Sequence, residues 1–205
     1  MNIRTIAFVL AGAAMFAASA QPSPAGDLAK AEGGHYTIDK SHAKIVFSIN
    51  HLGFSTYYGI FNDFAGSLDL DSAAPAKSVL DVTINVAGIV TTDRTLDAKL
   101  KSDAFFDVAK FPKATFKSTS IEATGEGTGK LTGEFTLHGV TKPVTLDVTF
   151  NGSGTPPMTK IYVAGFDAVG TLKRSDFGIK NFVPFVGDEV KLLISCEFDR
   201  AQQPH

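Results

Sequence analysis

Histidines, one cysteine and scattered lysines are the residues of this chain that could do chemistry, and their spacing argues against most of it. His42 and His51 flank one strand-like run, and His138 stands just before a glycine. No H-x-H, H-E-x-x-H or Cys/His grouping accompanies them, so no metal site is expected. There is no G-x-S-x-G elbow and no acid–base pair at a defined spacing. Asp63, Asp69, Asp71 and Asp107 read as turn and surface residues. Thr124 to Lys130 carries glycines and a lysine as a phosphate loop does. The glycine spacing is wrong, however, Leu131 stands where Ser or Thr is needed, and no helix follows, so a hairpin turn explains it better. Cys196 is the only cysteine and cannot form an internal disulfide. It lies in phase with Val190, Leu192, Ile194 and Phe198 and should point inward as a small apolar filler. Asn151-Gly-Ser153 fits a glycosylation acceptor, but Asn-Gly is also a strong turn pair. The residues therefore predict neither an enzyme nor a cofactor.

What remains is the apolar pattern. Leu131, Phe135 and Leu137, then Val144, Leu146, Val148 and Phe150, fall two or four residues apart with polar residues between. That is the period of strands with one buried face. Gly139 and Pro143 sit between these runs and predict the turn of a β-hairpin. The pattern recurs at Ala43–His51, Gly59–Leu70, Leu80–Val86, Thr115–Ala123, Ile161–Leu172 and Glu189–Asp199. In Gly59–Leu70, Phe61, Asp63 and Ala65 oppose Ile60, Phe64, Leu68 and Leu70. In Ile161–Leu172 the inward side is ambiguous, since Val163 and Val169 compete with Phe166 and Leu172. A short helix is expected over Thr92–Ser102, where Leu96 and Leu100 are four apart behind a Thr-Asp start. With 205 residues, 44% hydrophobic, the chain is one ordinary globular domain. Its net charge of −2 supplies no field for nucleic acid. About eight strands without βαβ alternation predict an all-β fold: an eight-stranded antiparallel barrel with one or two short helices. Such a barrel is filled by side chains or holds one small ligand.

The N-terminus is separate. Arg4, the apolar run Ile6–Ala18 and Ala18-Ser19-Ala20 make residues 1–20 a secretory signal peptide, cut after Ala20. Residues 21–34 read as a flexible lead, 35–200 as the barrel domain and 201–205 as a tail. The expected location is the periplasm.

Several segments match a known family in order. They are Tyr36-Thr-Ile-Asp39 with His42, His51-Leu-Gly53 leading to Gly59-Ile-Phe61, and Phe105-Phe-Asp107 through Phe111-Pro112 to Thr115-Phe116. Leu137-His-Gly-Val-Thr-Lys-Pro-Val144, Arg174-Ser-Asp-Phe-Gly178 and Gly187-Asp-Glu-Val190 complete the set. On these the chain resembles the YceI-like polyisoprenoid-binding proteins from about Tyr36 to Arg200. It departs from them at Tyr36, where Trp is usual, and at Leu96 and Lys99, where Arg and His are common. The resemblance implies an extended lipocalin-like barrel with a hydrophobic tunnel, in a periplasmic protein that binds long isoprenoid chains such as quinone tails or polyprenyl phosphates.

The candidate tunnel wall is the set of in-phase apolar residues: Phe47, Ile49, Phe64, Leu68, Val82, Ile84, Phe116, Phe135, Leu137, Leu146, Val148, Phe150, Leu192 and Ile194. Phe105, Phe106, Phe111, Phe177, Ile179, Phe182 and Phe185 lie on two irregular segments and either plug a barrel end or form its mouth. Lys99, Lys101 and Arg174 are the candidates for meeting a pyrophosphate head; Lys110, Lys113 and Lys180 lie in the same segments, and ordinary solvated surface lysines explain the cluster better. For any one wall residue, plain core packing accounts for it as well as ligand contact does. Burial of about fifteen tail carbons would contribute roughly 12 kcal/mol gross at ~0.8 kcal/mol each, less the ordering of a floppy chain. A solid barrel serving as a stress-response or interaction module is the alternative. Exchange of a lipid guest would call for transient contact with a membrane or membrane protein. A barrel can also form a homodimer through an outward face, and no residue here fixes one.

Overall fold

The computed structural model describes residues 25–201. The expected signal peptide, the first residues of the lead and residues 202–205 lie outside them.

Alternating apolar and polar residues form the strands β1 (Gly34–His51), β2 (Ser55–Phe61), β3 (Phe64–Leu70), β4 (Val79–Asn85), β5 (Ile89–Val90), β6 (Lys113–Gly125), β7 (Thr128–Leu137), β8 (Val140–Gly154), β9 (Val163–Lys173) and β10 (Val186–Arg200). β2 and β3 both run antiparallel to β1, against its two halves, so they are one long stave interrupted at Asn62 and Asp63. β4 and β5 pair with β3 and β2 in the same way and are interrupted at Val86–Gly88. Counted as staves, the sheet is an eight-stranded antiparallel meander. Pairing of β1 with β10 closes it into a lipocalin-like barrel. Closure leaves no long edge to aggregate.

The two interruptions lie side by side. The Asn62 N–H donates to the Gly88 carbonyl (3.2 Å), the Asn85 N–H donates to the Asp63 carbonyl (2.8 Å), and the Asn85 amide donates to the Asp63 carboxylate (2.7 Å). This break changes the phase of the stave. Phe61 faces inward on one side of it and Phe64 and Leu68 face inward on the other. The expected alternation, which set Phe61 opposite Phe64, is therefore corrected: strict period two fails across an irregular step.

Two further expectations change. Pro143 does not mark the turn; it lies inside β8, opposite Glu134. β9 joins β8 only from Leu146 onward, so the missing N–H of Pro143 falls on an unpaired stretch, where proline is tolerated. The turn itself is His138-Gly139, both with positive φ (51° and 75°), as a tight two-residue hairpin demands. The described part of the lead is packed. The Gly26 N–H donates to the Phe150 carbonyl (2.7 Å), and a single 3₁₀ turn follows at Leu28–Lys30, closing one barrel end. At that end Tyr36 is fully buried, and burial pushes its phenol up to about 12.

The expected helix is α1 (Arg94–Lys101). The Asp93 side chain accepts from the Thr95 and Leu96 N–H groups and caps it. α1 and the segment Arg174–Val186 lie over the opposite end of the barrel. In β9 the inward residues are Phe166, Ala168 and Leu172, while Val169 is exposed outside beside its register partner Leu193.

Candidate functional site

The barrel is hollow. Phe47, Ile49, Val82, Phe135, Leu192 and Ile194 all point away from bulk solvent, yet they are only half-buried, because the space they face is unfilled. Glycines in the wall keep that space open. Gly59 pairs with Phe47 across the β1–β2 ladder, and a Cβ there would overlap the Phe47 ring. A Cβ at Gly133, which pairs with Ser118 on β6, would likewise overlap the Phe116 ring. Each ring thus lies flat along the wall instead of projecting across the lumen.

The lumen has two chambers. The inner one, about 480 Å³, lies under the lead and the β6–β7 turn. The outer one, about 400 Å³, lies under α1 and the Arg174–Val186 segment. Phe61, Ile84, Phe135 and Leu192 line both and form a waist between them. Either volume falls within the usual range for small-molecule sites. Among the described residues, no buried side-chain nitrogen or oxygen lacks a hydrogen-bond partner. The lining of both chambers is itself almost wholly apolar, so the wall offers a guest dispersion and desolvation and little that is polar.

Every strand residue proposed for the wall lines one chamber or the other. Phe106 and Phe182 line the outer chamber. Phe177 does not line either: it is 1% exposed and packs edge-on against Phe135 (5.4 Å between centroids), so it is a plug behind the wall. Lys99 lines the outer chamber, with its ammonium 4.7 Å from the Phe182 ring centroid. Lys101 lines neither chamber.

Arg174 borders the outer chamber, but its guanidinium is directed elsewhere. Nε donates to the Gly187 carbonyl (2.8 Å), Nη1 to Ile179 (3.0 Å) and Asn181 (2.8 Å), and Nη2 to Val186 (2.9 Å). Burial pulls its pKa below the ordinary arginine value, yet arginine stays charged in proteins. Asp188, held by Ser175, lies in the same segment. Arg174 therefore pins the segment over the barrel end, and its expected role toward a head group gives way to a structural one.

Of the inner chamber's residues, periodicity missed Ile38 and Phe61; Ile45 and Phe198 are in phase with inward residues but stood outside the wall set, and Phe166 resolves the ambiguity in β9. Ile38 and Ile45 are seven apart, yet both face in, because the β1–β10 register shifts between Ile38 and Ala43. That bulge carries Asp39, Ser41 and His42 outside the barrel, where Glu197 of β10 joins them. His42 Nδ1 is 2.6 Å from the Asp39 carboxylate and 4.0 Å from that of Glu197. Hydrogen bonds from His42 and Ser41 hold the Asp39 carboxyl down at about 2, and the bond to Asp39 raises the His42 pKa. The cluster is exposed and away from the lumen. Cys196 lines the inner chamber, and burial pushes its thiol up to about 11.

The outer surface of the strands is rich in Lys, Asp, Glu and Thr and the lumen is apolar, the reverse of a lipid-spanning barrel. No helix among the described residues is long and apolar enough to cross a membrane.

Comparison with known proteins matches residues 36–198 to the model of the YceI-like domain. A UPF0312 protein of Yersinia enterocolitica is 41% identical over 201 residues, covering 97% of this chain and 98% of the relative. Among solved structures, Burkholderia cenocepacia BcnA superposes with a TM-score of 0.71 at 26% identity, over 78% of this chain and 98% of its own. The Campylobacter jejuni YceI protein gives 0.67 at 32% identity, over 75% and 91%.

Proposed function

The chain belongs to the YceI-like family, which with its fold makes it a non-enzymatic binding protein built around an apolar cavity, and from that premise we propose that its guest is the tail of a long isoprenoid lipid, carried through an aqueous exported compartment. The observation that carries this reading is the open lumen, whose lining surface is almost wholly hydrocarbon. A sugar, peptide or nucleotide would lose its hydration inside and regain nothing. A prenyl tail has no hydrogen bonds to water to give up and is favoured by leaving it. Two chambers in series suit a long, thin, bendable chain better than a compact ring system. The polar head then stays at an end of the barrel, and selectivity for it is slight. The signal-like residues 1–20 support export to the periplasm.

Native purification, solvent extraction and mass spectrometry test the proposal. The expected result is a prenyl lipid in stoichiometric amount. After delipidation, a prenyl lipid added at a hundred times its dissociation constant should stabilise the fold by about 2.7 kcal/mol. That raises the melting temperature by roughly 5–10 °C for a domain of this size. An extract without apolar guest, together with melting indifferent to added prenyl lipid, would overturn it. Edman sequencing of the periplasmic protein should begin at Gln21.

A further inference from the structure

Three segments meet around the outer end of the outer chamber: the β1–β2 turn at Leu52–Phe54, the stretch after α1 at Ala104–Phe105, and Asn181–Phe185. They are tied together. The Leu52 N–H donates to the Phe185 carbonyl (3.0 Å), the Asn181 amide donates to the Ala104 carbonyl, and the Lys99 ammonium sits 4.7 Å from the Phe182 ring and 5.9 Å from the Phe105 ring. The result is one continuous rim.

That rim exposes what a soluble surface ordinarily hides. Phe54 is 89% exposed, Phe185 72%, Phe182 54% and Leu52 45%. Leu52 and Phe182 hold φ values of 58° and 62°, a backbone that bulky residues rarely adopt, and both also line the outer chamber, so they stand at the boundary between lumen and solvent. Exposed apolar groups concentrated in one place mark an interaction site. Within residues 50–57, 99–106 and 178–187 the Lys, Arg, Asp and Glu side chains are Lys99, Lys101 and Lys180 against Asp103 alone.

We infer that this rim is a docking surface for an anionic lipid bilayer: Phe54, Phe182 and Phe185 enter the headgroup boundary while Lys99, Lys101 and Lys180 face lipid phosphates. Apolar tips interspersed with lysine are the chemistry of reversible interfacial binding. The tips project from separate turns around an opening, a shape that suits a deformable lipid surface more than a flat protein face. The opening leads into an apolar lumen, so a docked rim gives a tail a route from bilayer to chamber that avoids water. This inference rests on the carrier reading for its purpose, though not for its geometry.

The test is flotation of the delipidated mature chain with phosphatidylcholine vesicles, with and without phosphatidylglycerol, at low and high salt. Binding of a fluorescent farnesyl-chain probe is measured in parallel without vesicles. Phe54→Ser and Lys180→Glu alter residues that line neither chamber. Wild type should float with the anionic vesicles and be released by salt. Lys180→Glu should weaken flotation by about tenfold or more, and Phe54→Ser should abolish most of it, with both variants binding the probe as wild type does. Wild type that fails to float, variants that float equally well, or a rim that instead pairs two copies in sedimentation would overturn the docking proposal. Probe binding without flotation would leave the carrier standing and remove docking. Flotation without probe binding would do the reverse.

Discussion

Arg174 shows how one side chain can look like a ligand contact and act as a fastener. Its donors converge on carbonyls of Ile179, Asn181 and Val186, in the segment that covers the barrel end, and of Gly187 just beyond it at the start of β10. Arg174→Met would leave those acceptors facing an apolar stub, and we expect a loss of about 3 kcal/mol in urea denaturation, with faster amide exchange across residues 175–186. His42 and Asp39 make a prediction of opposite character, since they are exposed and act through protonation. The folded pKa of His42 is raised, so its contribution is complete below the unfolded value near ~6.5 and is lost as pH rises through the folded value. That of Asp39 is lowered, so its contribution is present above ~3.9 and is lost as pH falls toward about 2. The melting difference between wild type and His42→Gln should therefore be largest near pH ~5 and vanish in alkaline buffer. Neither role was legible in the chain. Asp39 and Glu197 are brought together only by the β1–β10 pairing, and an arginine in a loop says nothing of which carbonyls will surround it.

At the level of the elements, hydrophobic period two located all the major staves, and the Thr-Asp start located α1. It failed where the ladder is irregular. Phe61 was assigned to the wrong face because nothing in Ile60–Phe64 announces a phase change; the cause is a hydrogen-bonded step shared with Asn85 and Gly88 on the next stave. Ile38 was missed for the same reason at the β1 bulge. The wall glycines carry no periodic signal, yet Gly59 and Gly133 are spaces into which aromatic rings fold back. Gly59→Val should push the Phe47 ring into the outer chamber. We expect a destabilisation of about 1–3 kcal/mol by thermal denaturation and weaker binding of any guest that reaches that chamber.

For the whole molecule the decisive question was whether the barrel is filled or hollow. Inward-facing residues are the same in either case; only the third dimension, in the flattened rings and half-buried wall side chains, separates them. The waist then makes length the selective variable. Leu192→Phe adds bulk where the chambers join, and we expect it to spare a short prenyl guest confined to one chamber. It should weaken a long one that must pass through by about tenfold, or ~1.4 kcal/mol, as read by competition binding. Cys196 has a use that follows from its place in the inner wall. It is the only thiol of the chain, and anything that reaches it must first occupy the space a guest would fill. An uncharged maleimide should therefore label the vacant protein slowly and the loaded protein hardly at all. The molecule thus contains its own occupancy gauge, readable by mass in a crude extract before any purification can strip the cargo away.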